Sequence, residues 1–196
     1  MTERIIIAGF GGQGVILAGK LLAYTGMIEG KYVSHIPSYG AEMRGGTANC
    51  SVIISDREIS SPLISKPTTI IVMNPPSLFK FEENVLSNGK VFVNSSLIDD
   101  KVKRDDVDIY YVPANDIAEK AGSGRASNMV MVGAFIGVTE IVEKENVKNS
   151  LSNVISKRNL KFNEINFKAI DMGYDFVKKN FGPDENEFKK TVSKRG

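Results

Sequence analysis

The chain has 196 residues, of which 42% are hydrophobic and 24% are charged, as expected for one globular domain. Its single cysteine, Cys50, excludes an internal disulfide, a four-cysteine iron–sulfur cluster and a cysteine-rich zinc site within this chain. No window approaches the ~20 apolar residues of a membrane span, and no targeting segment is visible. We therefore expect a cytoplasmic protein that does not enter a membrane.

The formal net charge of +2 is unevenly distributed along the chain. Lys189, Lys190, Lys194 and Arg195 place four positive charges near the end, which leaves a sum of −2 for residues 1–188. The body therefore has no basic stripe suited to nucleic acid. We predict a single α/β domain over residues 1–182, followed by a polar, basic and disordered tail over residues 183–196.

The first third of the chain alternates between apolar runs and a helical pattern. Arg4–Ala8 indicates a buried strand, because its residues 5–8 form an unbroken apolar run that is ended by glycine. Apolar residues then recur at helical spacing over residues 13–29, which predicts a helix. Further strands are predicted at Tyr32–Ile36 and Thr47–Ile54, with a loop over Pro37–Gly46 between them because this stretch contains a proline and three glycines.

One hairpin is expected, just after the third strand. Asp56 and Arg57 have the composition of a turn, and Glu58–Ser60 would continue from it as a short strand. Such a direct step between neighbouring strands would make the sheet mixed.

The rest of the chain continues the alternation. After a strand at Thr69–Met73, Asn74 and Pro75 start a predicted helix over residues 75–87, with Leu78, Phe79, Val85 and Leu86 buried. The later predicted strands are Val91–Asn94 and Ile109–Val112, and the later predicted helices are Asn115–Ala121, Asn128–Val142, 146–157 and 166–180. This order predicts an α/β fold, a three-layer Rossmann-like sandwich with a mainly parallel, mixed sheet.

The first candidate site is the glycine-rich stretch Gly9-Phe-Gly11-Gly12-Gln13-Gly14, between the first strand and the first helix. It matches the G-x-G-x-x-G pattern in the context that the pattern requires. An NAD site also needs an acidic residue at the end of the second strand, and Glu29 lies before that strand. Two interpretations stay open: a tight structural turn, or contact with another phosphate-bearing ligand, including one bound mainly by a partner chain.

The second candidate site is the loop after the second strand. Within a few positions it holds Tyr39, Glu42, Arg44 and the pair Gly45-Gly46. In a Rossmann-like sheet, ligands and partners meet the carboxyl ends of the strands. A solvated loop in which Glu42 and Arg44 pair with each other is the alternative.

No complete catalytic set is visible. His35 is the only histidine, and no nucleophile with an orienting carboxylate accompanies it, so a Ser-His-Asp triad finds no support. We interpret His35 as a structural residue and Cys50 as an inert core thiol. A glycine-rich turn beside an unusual loop, without a nucleophile or an acid/base pair, is typical of a subunit that helps to build a site.

Two longer stretches carry a resemblance to a known family. Gly-Phe-Gly-Gly-Gln-Gly-Val-Ile-Leu-Ala-Gly (9–19) and Ser-Tyr-Gly-Ala-Glu-Met-Arg-Gly-Gly (38–46) resemble the signatures of the gamma subunit of 2-oxoacid:ferredoxin oxidoreductases. The agreement extends from residue 4 to about residue 180. Shorter matching stretches are Thr-Ala-Asn-Cys (47–50), Ser-Pro-Leu-Ile (61–64), Met-Asn-Pro-Pro-Ser-Leu (73–78) and Asn128-Met129.

The resemblance implies a role in an enzyme that decarboxylates a 2-oxoacid, transfers the acyl group to coenzyme A and reduces ferredoxin. It implies partner subunits alpha, beta and delta, with thiamine diphosphate, magnesium and iron–sulfur clusters in those partners, and no catalytic residue or metal ligand in this chain. It further implies interface or cofactor-proximal loops. Their residues are Gly9, Gly11, Gly12, Gln13, Gly14, Ser38, Tyr39, Glu42, Arg44, Gly45 and Gly46, together with Asn128.

The resemblance is closest to 2-oxoglutarate-type subunits, against pyruvate-type and branched-chain-type subunits. A stand-alone nucleotide-binding protein and a non-enzymatic interaction module are the alternatives. Because a partner-facing surface would be exposed in the isolated chain, we expect that chain to form a homodimer.

Overall fold

The computed structural model describes residues 1–39 and 47–182. Residues 40–46 of the second candidate loop and the predicted tail, 183–196, lie outside this range. The strands are β1 (Thr2–Phe10), β2 (Tyr32–Tyr39), β3 (Thr47–Ser55), β4 (Thr69–Val72), β5 (Lys90–Asn94) and β6 (Asp108–Val112). The helices are α1 (Val15–Ile28), α2 (Pro75–Phe81), α3 (Ala114–Ala121), α4 (Ser127–Thr139), α5 (Lys144–Val154) and α6 (Asn163–Phe181).

The six described strands form one sheet in the order β2-β3-β1-β4-β5-β6. The pairs β1–β4, β4–β5 and β5–β6 are parallel, whereas β3 is antiparallel to both β1 and β2. Five of these strands therefore point the same way, and only β3 is reversed. The predicted α/β class with a mainly parallel, mixed sheet is confirmed.

Helices cover the two faces of the sheet unequally. Ile5 and Ile7 of β1 belong to a large core cluster that includes residues of α1, α3, α4, α5 and α6. Ile6 and Ala8 point to the other face and belong to a smaller cluster with Leu78 of α2. This alternation along β1 produces the predicted three layers. Among the described helices, none is long and apolar enough to cross a membrane.

The predicted hairpin between the third strand and Glu58–Ser60 is wrong. Those three residues are not in a strand, and β3 instead pairs with β1 on one side and β2 on the other. Both hydrogen-bonding edges of β3 are therefore occupied, which leaves no edge for another strand. The reversal that makes the sheet mixed lies between β2 and β3.

The predicted loop over Pro37–Gly46 also begins too early. β2 continues through Pro37 to Tyr39, and Pro37 pairs with Cys50 of β3. Proline is tolerated here because β2 is an edge strand and needs backbone hydrogen bonds on one side only.

The predicted helix over residues 75–87 is shorter than expected. α2 ends at Phe81 and is followed by a 3-10 turn, Glu82–Asn84. Two residues predicted to be buried are not: Phe79, within α2, is 48% exposed, and Leu86, after the 3-10 turn, is 37% exposed. Leu78 and Val85 are buried as predicted. The Arg104 guanidinium fixes the end of this turn by donating from Nη1 to three backbone carbonyl oxygens.

Helices α4 and α6 pack with their backbones in contact. A Cβ atom added to Gly133 would collide with the carbonyl oxygen of Ile170, and one added to Gly173 would collide with that of Val130. Apart from its termini, α4 is buried on all sides, as its apolar sequence predicted. Close approach through glycine therefore fixes the distance between these two helices, which both contribute to the large core cluster on one face of the sheet.

Candidate functional site

The glycine-rich loop turns sharply between β1 and α1. The Gln13 backbone N–H donates to the Phe10 carbonyl oxygen at 3.1 Å and closes the turn. Gly12 and Gly14 have φ values of +93° and +74°, in the left-handed region that favours glycine. Gly14 is the N-cap of α1, and it has no side chain to cap the first-turn N–H groups. An open, glycine-capped helix N-terminus of this kind suits an anionic ligand.

The loop is held on one side by α4. The Asn128 side chain is buried, and its Nδ2 donates to the Gly14 carbonyl oxygen at 3.1 Å. A Cβ atom added to Gly14 would collide with this amide. The structure thus brings together two predicted site residues that are 114 positions apart in the sequence.

Gln13 holds the loop on the other side. Its Oε1 accepts a hydrogen bond from the Phe10 N–H at 2.6 Å, and its Nε2 donates to the Met73 carbonyl oxygen at 3.0 Å. Met73 directly follows β4, the parallel neighbour of β1. The Gln13 amide therefore connects the carboxyl ends of two adjacent strands.

The second candidate loop begins at the same edge of the sheet. Tyr39, at the end of β2, pairs with Ala48 of β3, and Ala48 also pairs with Gly9 of β1. Ser38 is exposed and lies two strands from β1, so it does not line the cleft described below. Of the remaining predicted residues in this loop, Glu42, Arg44, Gly45 and Gly46 lie outside the described residues.

A cleft of about 410 Å³ opens beside the glycine-rich loop, on the helical side of the sheet. It is lined by residues of the glycine-rich loop, of the start of α4, of the connection from α5 to α6 and of the start of α6. Its lining residues are Gly12, Gly14, Leu17, Ser123, Arg125, Ala126, Asn128, Met129, Ile155, Asn159, Phe162, Ile165 and Asn166.

Among the residues that line the cleft, the charged one is Arg125. Arg125 is exposed on its wall, in the 3-10 turn before α4. Lys157, Arg158 and Lys161 flank Asn159 in a second 3-10 turn, Lys157–Phe162, which has no buried residue. Together with the N-terminus of α1, these groups favour an anion. Within residues 1–39 and 47–182, no cluster of histidine, cysteine or acidic side chains could hold a metal ion.

Several lining residues were not predicted from the sequence. Arg125 follows Gly122-Ser123-Gly124, which we interpreted only as a flexible break; a lone arginine beside a glycine pair was the available signal. Asn159 and Phe162 come from the α5–α6 connection, and no local pattern places that connection against a loop near residue 12. Tertiary packing alone brings these segments together.

His35 lies away from the cleft, in β2. It is half-buried against Gly19 of α1, and its Nε2 has no hydrogen-bond partner among the described residues. Burial, together with the positive charge of Lys20, lowers its pKa below the ordinary histidine value. A neutral imidazole ring whose Nε2 has no hydrogen-bond partner among the described residues supports a structural role for His35.

Glu29, which lies before the second strand, has a structural role as well. Its Oε1 accepts hydrogen bonds from the Glu143 N–H at 2.8 Å and from Asn146 Nδ2 at 3.0 Å, at the start of α5. It therefore caps another helix and does not face the glycine-rich loop.

Cys50, a residue of β3, is completely buried against α1, as predicted for a core thiol. Its Sγ donates to the Val15 carbonyl oxygen at 3.4 Å, and burial raises the pKa of the thiol to about 12.

We expect the Cys50 thiol to be unreactive toward a thiol reagent such as iodoacetamide at pH 8 in the folded protein, because the thiolate is the reactive form. In denaturant, one equivalent should react at the ordinary rate of a free cysteine. Mass spectrometry of the labelled chain measures both, and rapid labelling of the native protein would contradict the burial of this side chain.

Comparison with known proteins identifies the family. The sequence profile of the pyruvate ferredoxin/flavodoxin oxidoreductase family matches residues 4–176. The chain belongs to this family. The match includes the glycine-rich loop, the second candidate loop and Asn128, and it extends well into α6.

Named relatives within the family differ in length and in substrate. The chain is 36% identical over 187 residues to the ketoisovalerate oxidoreductase subunit VorA of Methanothermobacter marburgensis, and the match covers 94% of this chain and 38% of VorA. It is 33% identical over 181 residues to the 2-oxoglutarate synthase subunit KorC of Methanocaldococcus jannaschii, with 91% of this chain and 95% of KorC covered. The chain thus spans little more than a third of the VorA relative and nearly all of KorC. A pyruvate synthase subunit is also among the relatives, at 31% identity.

The fold agrees with that of a solved gamma subunit. The structure of the keto/oxoacid ferredoxin oxidoreductase gamma subunit from Geobacter sulfurreducens superposes with a TM-score of 0.75 at 27% identity. The superposition covers 88% of this chain and 96% of that subunit. The predicted resemblance to gamma subunits is confirmed.

Proposed function

We propose that this chain is the gamma subunit of a multi-subunit 2-oxoacid:ferredoxin oxidoreductase, and that it is inactive without its partners. One observation carries the proposal: the family profile covers residues 4–176, and separate subunits such as KorC are matched along nearly their whole length. In this proposal residues 1–182 are one domain, and the enzyme works in the cytoplasm.

The redox cofactors belong to the partner subunits. Cys50, the chain's one cysteine, is buried and hydrogen-bonded to the Val15 carbonyl, so the cysteine content of this chain does not fit a four-cysteine cluster. We assign iron–sulfur clusters to the beta and delta subunits. Thiamine diphosphate and magnesium belong mainly to beta, and ferredoxin accepts the electrons.

The cleft beside the glycine-rich loop is proposed to hold the phosphate-bearing part of coenzyme A. The uncapped N-terminus of α1 and the exposed Arg125 guanidinium supply donors and positive charge on the same side of the loop. At about 410 Å³ the cleft takes part of such a ligand, and the rest would lie against partner subunits. Phe10 and Phe162, which are 39% and 43% exposed, are apolar surfaces available for those partners near the cleft.

A charge-removing variant tests the cleft. In the enzyme assembled with its partner subunits, Arg125→Ala should raise KM for coenzyme A about tenfold, because a charge-assisted hydrogen bond is lost. KM for the 2-oxoacid should stay unchanged. Lys179→Ala removes an exposed charge from the far end of α6 and serves as the control, with no change in either KM. An unchanged coenzyme A KM in Arg125→Ala would remove coenzyme A from this cleft.

For the substrate we propose 2-oxoglutarate. The support is the resemblance of Thr-Ala-Asn-Cys (47–50) and Met-Asn-Pro-Pro-Ser-Leu (73–78) to 2-oxoglutarate-type subunits, together with identities of 33% and 34% to two KorC subunits. Ketoisovalerate is the second candidate, because VorA of Methanothermobacter marburgensis has the higher identity, 36%. Coenzyme A-dependent viologen reduction by the assembled enzyme, compared across 2-oxoglutarate, ketoisovalerate and pyruvate, distinguishes the candidates. Faster turnover with either of the other two acids would contradict 2-oxoglutarate.

A further inference from the structure

The carboxyl ends of β1 and β4 form a topological switch point. β1 continues through α1 toward β2 on one side of the sheet, whereas β4 continues through α2 toward β5 on the other. α1 and α2 pack against opposite faces, since their core residues belong to the two separate clusters. In open α/β sheets, the crevice at such a point is where ligands usually bind.

In this chain a protein side chain occupies that crevice. The Gln13 amide spans it, from the Phe10 N–H on the β1 side to the Met73 carbonyl oxygen on the β4 side. A Cβ atom built on Gly9 would lie 2.6 Å from the Gln13 Oε1 and 2.8 Å from the Met73 Cβ, and both distances are too short. The absence of a side chain at Gly9 is therefore what admits the Gln13 amide.

We infer that Gln13 is a positioning residue that closes the switch point and fixes the glycine-rich loop, so that an anionic ligand enters only from the α4 side. Oε1 and Nε2 each hydrogen-bond to a backbone atom, and Gln13 is not among the residues that line the cleft. Asn128 holds the next residue, Gly14, from the opposite side. The two amides together hold the turn that presents the α1 N-terminus to the cleft.

This inference rests on the proposed function of the cleft as a coenzyme A site, but part of it can be tested without partner subunits. Gln13 is the only glutamine in the chain. Selective ¹⁵N labelling of glutamine side chains therefore gives a single NH₂ pair in the spectrum of the full-length protein. We expect the proton that donates to the Met73 carbonyl to exchange with solvent at least about tenfold more slowly than the amide protons of free glutamine. Exchange at the free rate would overturn the inference.

The effect on coenzyme A binding is tested in the assembled oxidoreductase with Gln13→Met. Methionine keeps the length of the side chain and removes both hydrogen bonds. We expect KM for coenzyme A to rise about tenfold, while kcat and KM for the 2-oxoacid stay within about twofold. Gln13→Glu keeps the acceptor for the Phe10 N–H and loses the donor to the Met73 carbonyl, so it should also raise KM for coenzyme A. Asn153→Met, on the exposed face of α5, is the control and should leave all three constants unchanged.

The outcomes separate the two proposals. A wild-type enzyme that depends on coenzyme A, with an unchanged coenzyme A KM in Gln13→Met, would overturn the positioning role and leave the proposed function intact. A parallel fall of kcat and rise of the 2-oxoacid KM would show a merely structural residue and overturn it as well. A wild-type enzyme without any dependence on coenzyme A would overturn the proposed function, and this inference with it.

Discussion

Replacement of Gly173 by alanine should lower the free energy of unfolding by about 3 kcal/mol. The added Cβ would collide with the Val130 carbonyl oxygen and would lie 2.8 Å from the Val130 carbonyl carbon. Backbone atoms cannot move aside as a flexible side chain can, so α6 must shift away from α4. That shift disturbs the large core cluster, because α4 is buried on nearly every side.

Urea denaturation followed by circular dichroism measures this loss. Asp175→Ala, on the exposed side of the same helix, is the matched control and should change the stability by less than about 0.5 kcal/mol. Gly133→Ala should resemble Gly173→Ala, since its Cβ would collide with the Ile170 carbonyl oxygen. If Gly173→Ala were as stable as the wild-type protein, the described contact between the α4 and α6 backbones would be wrong.

Alanine at Gly14 should damage both the stability of the fold and the binding of coenzyme A. Gly14 has a φ of +74°, which costs a residue with a Cβ about 1–2 kcal/mol. The same Cβ would collide with the Asn128 amide, and the loop would have to move away from α4. In the assembled enzyme we therefore expect KM for coenzyme A to rise more than about tenfold.

Gly30→Ala separates the two causes. Gly30 has nearly the same φ, +75°, but nothing lies within 4 Å of a Cβ atom built there. Gly30→Ala should therefore be destabilised only by the backbone strain at this position, and it should leave KM for coenzyme A unchanged. Asn128→Ala combined with Gly14→Ala should recover part of the stability that Gly14→Ala loses, because the colliding amide is gone. Equal losses in Gly14→Ala and Gly30→Ala would mean that Asn128 does not contact the loop as described.

The fold class was predictable from the sequence because each element follows from local physical rules. The apolar run before Gly9 predicts β1, and Asn74 with Pro75 predicts the start of α2. The direction of β3 could not be predicted from its local sequence. It depends on which neighbours occupy its two edges, and a turn-like Asp56 was not sufficient to predict them.

The candidate site was only partly predictable for the same reason. The glycine spacing predicted a tight turn at residues 9–14, with contact to a phosphate-bearing ligand as the open alternative, and the resemblance added Asn128, whose amide holds Gly14. The sequence did not predict that the Gln13 amide would face inward across the switch point, since this depends on the position of Met73 after β4. Nor did it place Arg125 and Asn159 in the lining of one cleft.

The most direct test of the central claim is anaerobic affinity purification of this chain from its native cell, followed by identification of the proteins that co-purify. We predict recovery of a thiamine diphosphate-dependent subunit and a cluster-bearing subunit, with viologen reduction that requires both a 2-oxoacid and coenzyme A. Recovery of the chain by itself, without such activity, would contradict its assignment as the gamma subunit of an oxidoreductase.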